Sequence, residues 1–274
     1  TFVASANCAR YCGAQVDFVD IDPRTYNLSV EALSAKLERA AQDGTLPDVV
    51  VPVHFAGQSC DMRAIGALKE RYGFAVIEDA AHAVGADYLD HKVGSCRYSD
   101  LAVFSFHPVK LLTTGEGGAI VTNRADLASR VGRLRSHGIT RDPAEFQGES
   151  EGSWYHQQIE LGFNYRITDI QASLGTSQLR RLDGFLARRR ELAARYNRLL
   201  ANLPLTRPWQ HPDQRSAFHL YPIHIDPGAG ANRRARVFQR MRDSGIGVQV
   251  HYIPVHTQPY YQRLGFKRGD FPAA

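Results

Sequence analysis

Three residue types that rarely do chemistry alone stand at comparable places in this 274-residue chain. Asp79 lies at the end of the apolar run "FAVIEDAA", Ser105 near the end of "DLAVFSF", and Lys110 five residues later in "SFHPVK". A carboxylate at a strand end can cap a helix, or it can pair with a cationic ring nitrogen. A hydroxyl can donate to a phosphate. A lysine amine, unlike a guanidinium, can lose its proton and form an imine with a carbonyl. Lysine is scarce here, five against 28 arginines. Lys110 is therefore either an ordinary surface cation or an amine kept for that chemistry. The glycines of "GEGG" (115–118) permit close backbone approach just after it. His82, three residues beyond Asp79, and His107, beside the lysine, add imidazoles whose role the spacing leaves open.

Ligands of open α/β sheets gather beyond the carboxyl ends of the strands, so the elements that carry these residues decide their meaning. Short β-type runs alternate with helical patterns through the first two-thirds of the chain. This predicts an α/β fold, a mainly parallel sheet covered by helices. Strands are expected over Ala14–Asp22, Pro47–Phe55 and Phe74–Ala81, and in "DLAVFSF" and "GGAIVTN". Helices are expected over Ser29–Gln42, with Ser29 as N-cap, over Asp61–Gly73, and in "RADLASRVGRLRSHG". Ile139–Phe163 is polar and aperiodic and reads as a long loop. Helix resumes in "TDIQASLGTSQLRRL", capped by Thr168, and in "FLARRRELAARYNRLLANL". Beyond these, "AFHLYPIHI", "NRRARVFQRMRDSG" and "IGVQVHYIP" read as strand, helix and strand of a smaller domain. The division expected is 1–182 for the large domain and 183–274 for the small one. An Asp, a Ser and a Lys at strand ends, in this order, are the set that pyridoxal 5'-phosphate requires. The carboxylate meets the pyridine nitrogen, the hydroxyl the phosphate, and the amine the carbonyl carbon.

The remaining features mainly exclude. No apolar run approaches the roughly 20 residues of a membrane helix, and the start lacks the basic and apolar regions of a signal peptide. Cys8, Cys12, Cys60 and Cys96 form no CxxC pair, so reduced thiols and a cytoplasmic setting are expected. The net charge of +5 suits an anionic small substrate such as a nucleotide sugar. No nucleic-acid recognition motif accompanies it, and the basic run Arg180–Arg190 reads as a solvated helix face. No HExxH or CxxC spacing points to a metal.

The motifs "EDAAHAVGA", "YSDLAVFSFHPVKLLTTGEGGAIVTN" and "LGFNYRITDIQASLG" closely resemble the DegT/DnrJ/StrS family of sugar aminotransferases, over nearly the whole chain. The resemblance implies the type I, aspartate aminotransferase-like fold of pyridoxal-phosphate enzymes. That fold has a mainly parallel large domain and a small α/β C-terminal domain, and the chain would be incomplete at both ends. Lys110 would hold the cofactor as an imine and later shuttle a proton. Asp79 would bind the ring nitrogen, His82 would sit near the ring hydroxyl, and Ser105 would hold the phosphate. Phe2, in "TFVASAN", would stack on the ring. Asn164, in "FNYR", would be offered to the neighbouring subunit's site, which implies a homodimer. "SFHPVK" and "VHYIPVHTQPYYQRLGF" are most similar to the subgroup that aminates the C4 ketone of a UDP-linked 4-keto-6-deoxy-N-acetylhexosamine in pseudaminic acid synthesis, with glutamate as amino donor. On that reading Gln249, Val250, His251 and Tyr252 line the sugar-nucleotide site, with Ser105 and Asn164 also reaching substrate. His251 and His256 have aromatic packing as their alternative. Two further readings stay open. One is a pyridoxal-phosphate sugar 3-dehydratase, whose members carry histidine where Lys110 stands, and His107 lies close by. The other is a non-catalytic relative that binds the cofactor.

Overall fold

The computed structural model describes residues 2–226 and 232–274. Helix α1 (Ala4–Tyr11) opens it. Helix α2 (Val30–Asp43) starts where the Ser29 hydroxyl accepts the Ala32 amide and stops at Gly44 in the left-handed region. Its buried residues Leu33 and Leu37 lie one turn apart, so a single stripe meets the core. Strand β1 (Val49–Val50) follows. Helix α3 (Met62–Tyr72) is capped by Asp61 and ended by Gly73 at φ +80°. Next come β2 (Ala75–Asp79), the short β3 (Asp87–Tyr88) and β4 (His91–Lys92), then β5 (Leu101–Ser105) and β6 (Gly118–Val121). Helix α4 (Ala125–Leu134) leads to β7 (Ile139–Thr140) and β8 (Gln157–Gln158), and then to α5 (Asp169–Leu179) and α6 (Leu182–Leu199). Strand β9 (Gln214–Arg215), α7 (Arg233–Asp243) and α8 (Pro259–Gln262) complete the order.

The central sheet runs β1-β2-β5-β6. The first three strands are parallel and β6 returns antiparallel along β5. Asp79 pairs with Val103, so β5 runs two residues past the end of β2, to Ser105. Leu33, Leu37, Ile65, Phe74, Val76 and Leu186 form the main core between this sheet and its helices. Each such side chain contributes about 1.5–3 kcal/mol on burial. Leu186 comes from α6, and β9 pairs with β3, so the stretch after α5 is packed onto the sheet as well. No helix among the described residues is long and apolar enough to cross a membrane.

Several expected strands are shorter or absent, for nameable reasons. Ala14–Asp22 forms only the single bridge Ile21 to Leu28. Its ring Phe18 instead packs against Tyr261, Phe266 and Phe271. The apolar alternation there is met by side chains rather than by a ladder. Within Pro47–Phe55 the ladder covers Val49–Val50, with a bridge from Val53 to Asp79. Pro52, lacking an amide proton, interrupts it. The loop Ile139–Phe163 carries the small β7–β8 pair. In the C-terminal region α7 forms, but "AFHLYPIHI" and "IGVQVHYIP" are not strands. The first holds only a bridge between Thr206 and His224, with Phe218 at φ +45°. A strand exists only beside a partner, and no ladder partner lies next to either segment among the described residues.

Candidate active site

Strand β2 alternates its side chains between two faces. Glu78 is buried and Asp79 half-buried. On the buried face, Glu78 Oε2 lies 2.8 Å from His54 Nε2, while Oε1 accepts the Ser99 hydroxyl. The His54 Nδ1 accepts the Cys60 amide at 3.1 Å, so the ring keeps its proton on Nε2 and donates it to Glu78. Burial alone would raise the Glu78 carboxyl, but the bonds from His54 and Ser99 hold it below the usual carboxylate range.

On the other face the Asp79 carboxylate is fixed at both oxygens. Oδ1 accepts the Ala81 amide at 3.1 Å and Oδ2 accepts the Ser5 hydroxyl at 2.5 Å. Its backbone is tied to Pro52 and His54 at 2.9 and 3.0 Å. His82 accepts the Ala56 amide on Nδ1 at 3.3 Å, which leaves Nε2 as the protonated nitrogen. Its ring lies 4.4 Å from that of His219 and 6.2 Å from those of Phe55 and His251. Burial first, then the charges of Lys110 and His251 nearby, push His82 down to about 3. The imidazole is therefore neutral at working pH.

Lys110 sits in a turn in which its amide donates to the His107 carbonyl at 2.9 Å. Burial lowers the Lys110 amine below its ordinary value, and the Asp79 charge opposes that fall. Asp79 ends β2 and Lys110 follows the end of β5, its parallel neighbour, so the two belong to the same edge of the sheet. Ser105 ends β5 opposite Gly118, and its hydroxyl accepts the His107 amide at 3.4 Å. The loop between is laced: Phe106 N–H donates to Gly117 at 2.8 Å and Thr114 N–H donates to Phe106 at 3.0 Å. From α5, Gln178 brackets Thr113, accepting its amide at 3.3 Å and donating to its carbonyl at 2.9 Å. A Cβ on Gly118 would fall 2.6 Å from the Phe104 carbonyl oxygen, so the strands close up only on glycine.

The other expected residues lie farther out. Phe2 is 72% exposed just ahead of α1. Asn164 is exposed and its backbone bridges Ser136, while its sequence neighbours Phe163 and Tyr165 stack ring on ring. Of Gln249, Val250, His251 and Tyr252, only His251 reaches the cluster, 6.0 Å from Phe55; Gln249 and Tyr252 are exposed and Val250 is half-buried. His256 is buried against Phe271 and Phe18, which makes it a packing residue. His107 is exposed, 3.9 Å from the Glu116 carboxylate. Sequence reasoning missed Ser5, although "TFVASAN" contains it. It also missed His219, hidden in a segment expected to be a strand. Among the described residues no group of His, Cys, Asp or Glu is placed to hold a metal ion.

These residues fit pyridoxal phosphate. An anchored carboxylate and an amine biased toward its neutral form share one sheet edge, and a hydroxyl ends the neighbouring strand beside a glycine that admits no Cβ. Known proteins agree. A family model described as the DegT/DnrJ/EryC1/StrS aminotransferase family matches residues 1–274. The Bacillus subtilis spore coat polysaccharide biosynthesis protein SpsC is 42% identical over 100% of this chain and 69% of its own length. A Campylobacter jejuni UDP-4-amino-4,6-dideoxy-N-acetyl-beta-L-altrosamine transaminase is 38% identical over 96% of this chain and 66% of its own. A Helicobacter pylori aminotransferase involved in the biosynthesis of pseudoaminic acid superposes with a TM-score of 0.85 at 30% identity, over 96% of this chain and 66% of that one. A Streptococcus pneumoniae chain of the same fold, solved in its PLP form, gives a TM-score of 0.84 at 26% identity, over 100% of this chain and 70% of that one. The chain thus spans about two-thirds of the length of these relatives. Strand-end carboxylate, loop lysine and whole-chain similarity lead to one conclusion: the chain belongs to the DegT/DnrJ/EryC1/StrS family of pyridoxal-phosphate-dependent sugar aminotransferases.

Proposed function

We propose that the protein moves an amino group from glutamate to the C4 ketone of a UDP-linked 4-keto-6-deoxy-N-acetylhexosamine, in the synthesis of pseudaminic acid or a related surface glycan. The observation that carries the reading is the placement of Lys110 and the fixed carboxylate of Asp79 at one edge of the sheet, beyond adjacent parallel strands, with the Lys110 amine lowered by burial. The name of the Campylobacter jejuni relative supports the substrate class. When bound, pyridoxal phosphate supplies the carbonyl that carries the amino group and the ring that takes up electrons. This chain's residues do the rest. Asp79 holds the ring nitrogen by charge. Ser105 donates to the phosphate. His82, neutral and protonated on Nε2, donates to the ring hydroxyl oxygen. Phe2 covers the ring face. Lys110 Nζ takes a proton from the donor carbon and returns one at the sugar carbon. Such a positioned acid–base group contributes about 10² to 10⁴ in rate.

On the substrate side we assign Gln249, Val250, His251 and Tyr252, because His251 lies within ring contact of Phe55 and His82. Asn164 would serve a second copy of the chain. The exposed Leu161, Tyr165 and Ile170 around it form an apolar face of the kind that a partner covers. The test is to assay the complete protein with glutamate against UDP- and dTDP-linked 4-keto sugars, reading product mass. An aminated UDP sugar is expected. A deoxygenated product would replace this reading with the dehydratase. Lys110→Arg keeps the charge but cannot bond to the cofactor, so both its absorbance band and turnover should vanish. Normal turnover in that variant would sink the assignment.

A further inference from the structure

The roles assigned above leave Ser5 unused. It lies half-buried on α1, 74 positions away from Asp79 in sequence, and donates its hydroxyl to Asp79 Oδ2 at 2.5 Å. That length is typical of a charge-assisted O–H···O⁻ bond, which is about twice as strong as a neutral one. The second oxygen is held by the Ala81 amide. The two bonds come from different elements, so together they fix the plane of the carboxylate. Helix α1 is itself pinned from the opposite side. Asn7 Oδ1 accepts the hydroxyl of Tyr261 at 2.6 Å, and Tyr261 is only 1% exposed. Ala6 packs into the same cluster with Val255 and Tyr261.

We infer that Ser5 is a positioning residue for the cofactor anchor: its hydroxyl holds the Asp79 carboxylate in the plane from which it meets the pyridine nitrogen. The inference rests on the reading of Asp79 as that anchor. Ser5 touches neither reacting carbon and acts only through Asp79. Removing the hydroxyl leaves the carboxylate tied by one amide and free to turn about its last torsion. Both the tightness and the electronics of the ring contact then change.

The experiment uses the complete protein, freed of cofactor and titrated with pyridoxal phosphate by absorbance. Ser5→Ala, which suits a helix, should bind up to about tenfold more weakly, because the freed carboxylate must be ordered when the cofactor binds. The pH midpoint of the bound cofactor's absorbance should move as well, a change that packing alone would not cause. Ser5→Thr should restore both. Wild-type affinity and midpoint in Ser5→Ala would overturn the inference. Asp79→Asn separates the two ideas. If it weakens binding and Ser5→Ala does not, only the role of Ser5 fails. If Asp79→Asn binds as wild type, the anchor reading fails and this inference goes with it.

Discussion

Replacing Gly118 by alanine tests whether the lysine loop is held by strand contact. The added Cβ would stand 2.6 Å from the Phe104 carbonyl oxygen, where ordinary contact begins at 3.4 Å. Phe104 cannot yield, because β5 is laddered on both sides, to β2 and to β6. The edge strand β6 must therefore move outward by about 0.8 Å, the gap between those two distances. Its displacement pulls on Gly117, whose carbonyl accepts the Phe106 amide, and so on the loop that carries Lys110. A misplacement of about 1 Å can cost on the order of 10²-fold in rate, and overpacking of this kind costs about 1–3 kcal/mol in stability. Gly118→Ala should therefore melt lower and turn over about 10²-fold more slowly, with cofactor still bound at saturating concentration. Thermal melting and steady-state rates on the cofactor-saturated protein measure both. Wild-type values for both would refute the claim that strand closure places the lysine.

Glu78→Gln removes the charge and replaces one of two accepting oxygens by a donor, leaving His54 Nε2–H or the Ser99 hydroxyl without its charged acceptor, and should cost about 1–3 kcal/mol by urea unfolding at pH 7. Because its folded carboxyl is depressed, its contribution is present above the unfolded value of about 4.3 and is lost as pH falls through the folded value. The difference between wild type and variant should then shrink toward pH 3, and a constant difference would count against it. Ile170→Glu puts a charge on a side chain that is 84% exposed. On the proposed dimer it should leave folding intact but halve the mass seen by sedimentation relative to wild type, and an unchanged mass would remove that face from the proposed interface.

Much of this arrangement is legible in the sequence because it is local. Ser29, Asp61 and Thr168 cap the helices they precede, and Thr168 forms a full capping box with Gln171. Each depends on residues within one turn. The run "FAVIEDAA" (74–81) contains β2, Ala75–Asp79, because its β-branched Val76 and Ile77 sit in a strand whose burial alternates from face to face. What the sequence hides is pairing across distance. Ala14–Asp22 has strand texture, yet its apolar residues meet Tyr261 and Phe266 rather than a neighbouring strand. Ser5 and Asp79, or His82 and His219, are far apart in the chain, and no spacing rule joins them.

The antiparallel return of β6 along β5 has a consequence for motion. In a parallel crossover, a lysine beyond the strand would ride on a long connection that leaves the sheet before it returns. Here both ends of the 106–117 segment are clamped to one strand pair, Ser105 opposite Gly118, and the middle is laced through Phe106 and Thr114. The segment cannot swing open as a flap. The Phe106 amide, bonded to Gly117 at the foot of β6, should therefore exchange with that strand. On the proposed role of Lys110, the amine is carried on a stiff mount, fixed to the same strand pair at both ends of its loop.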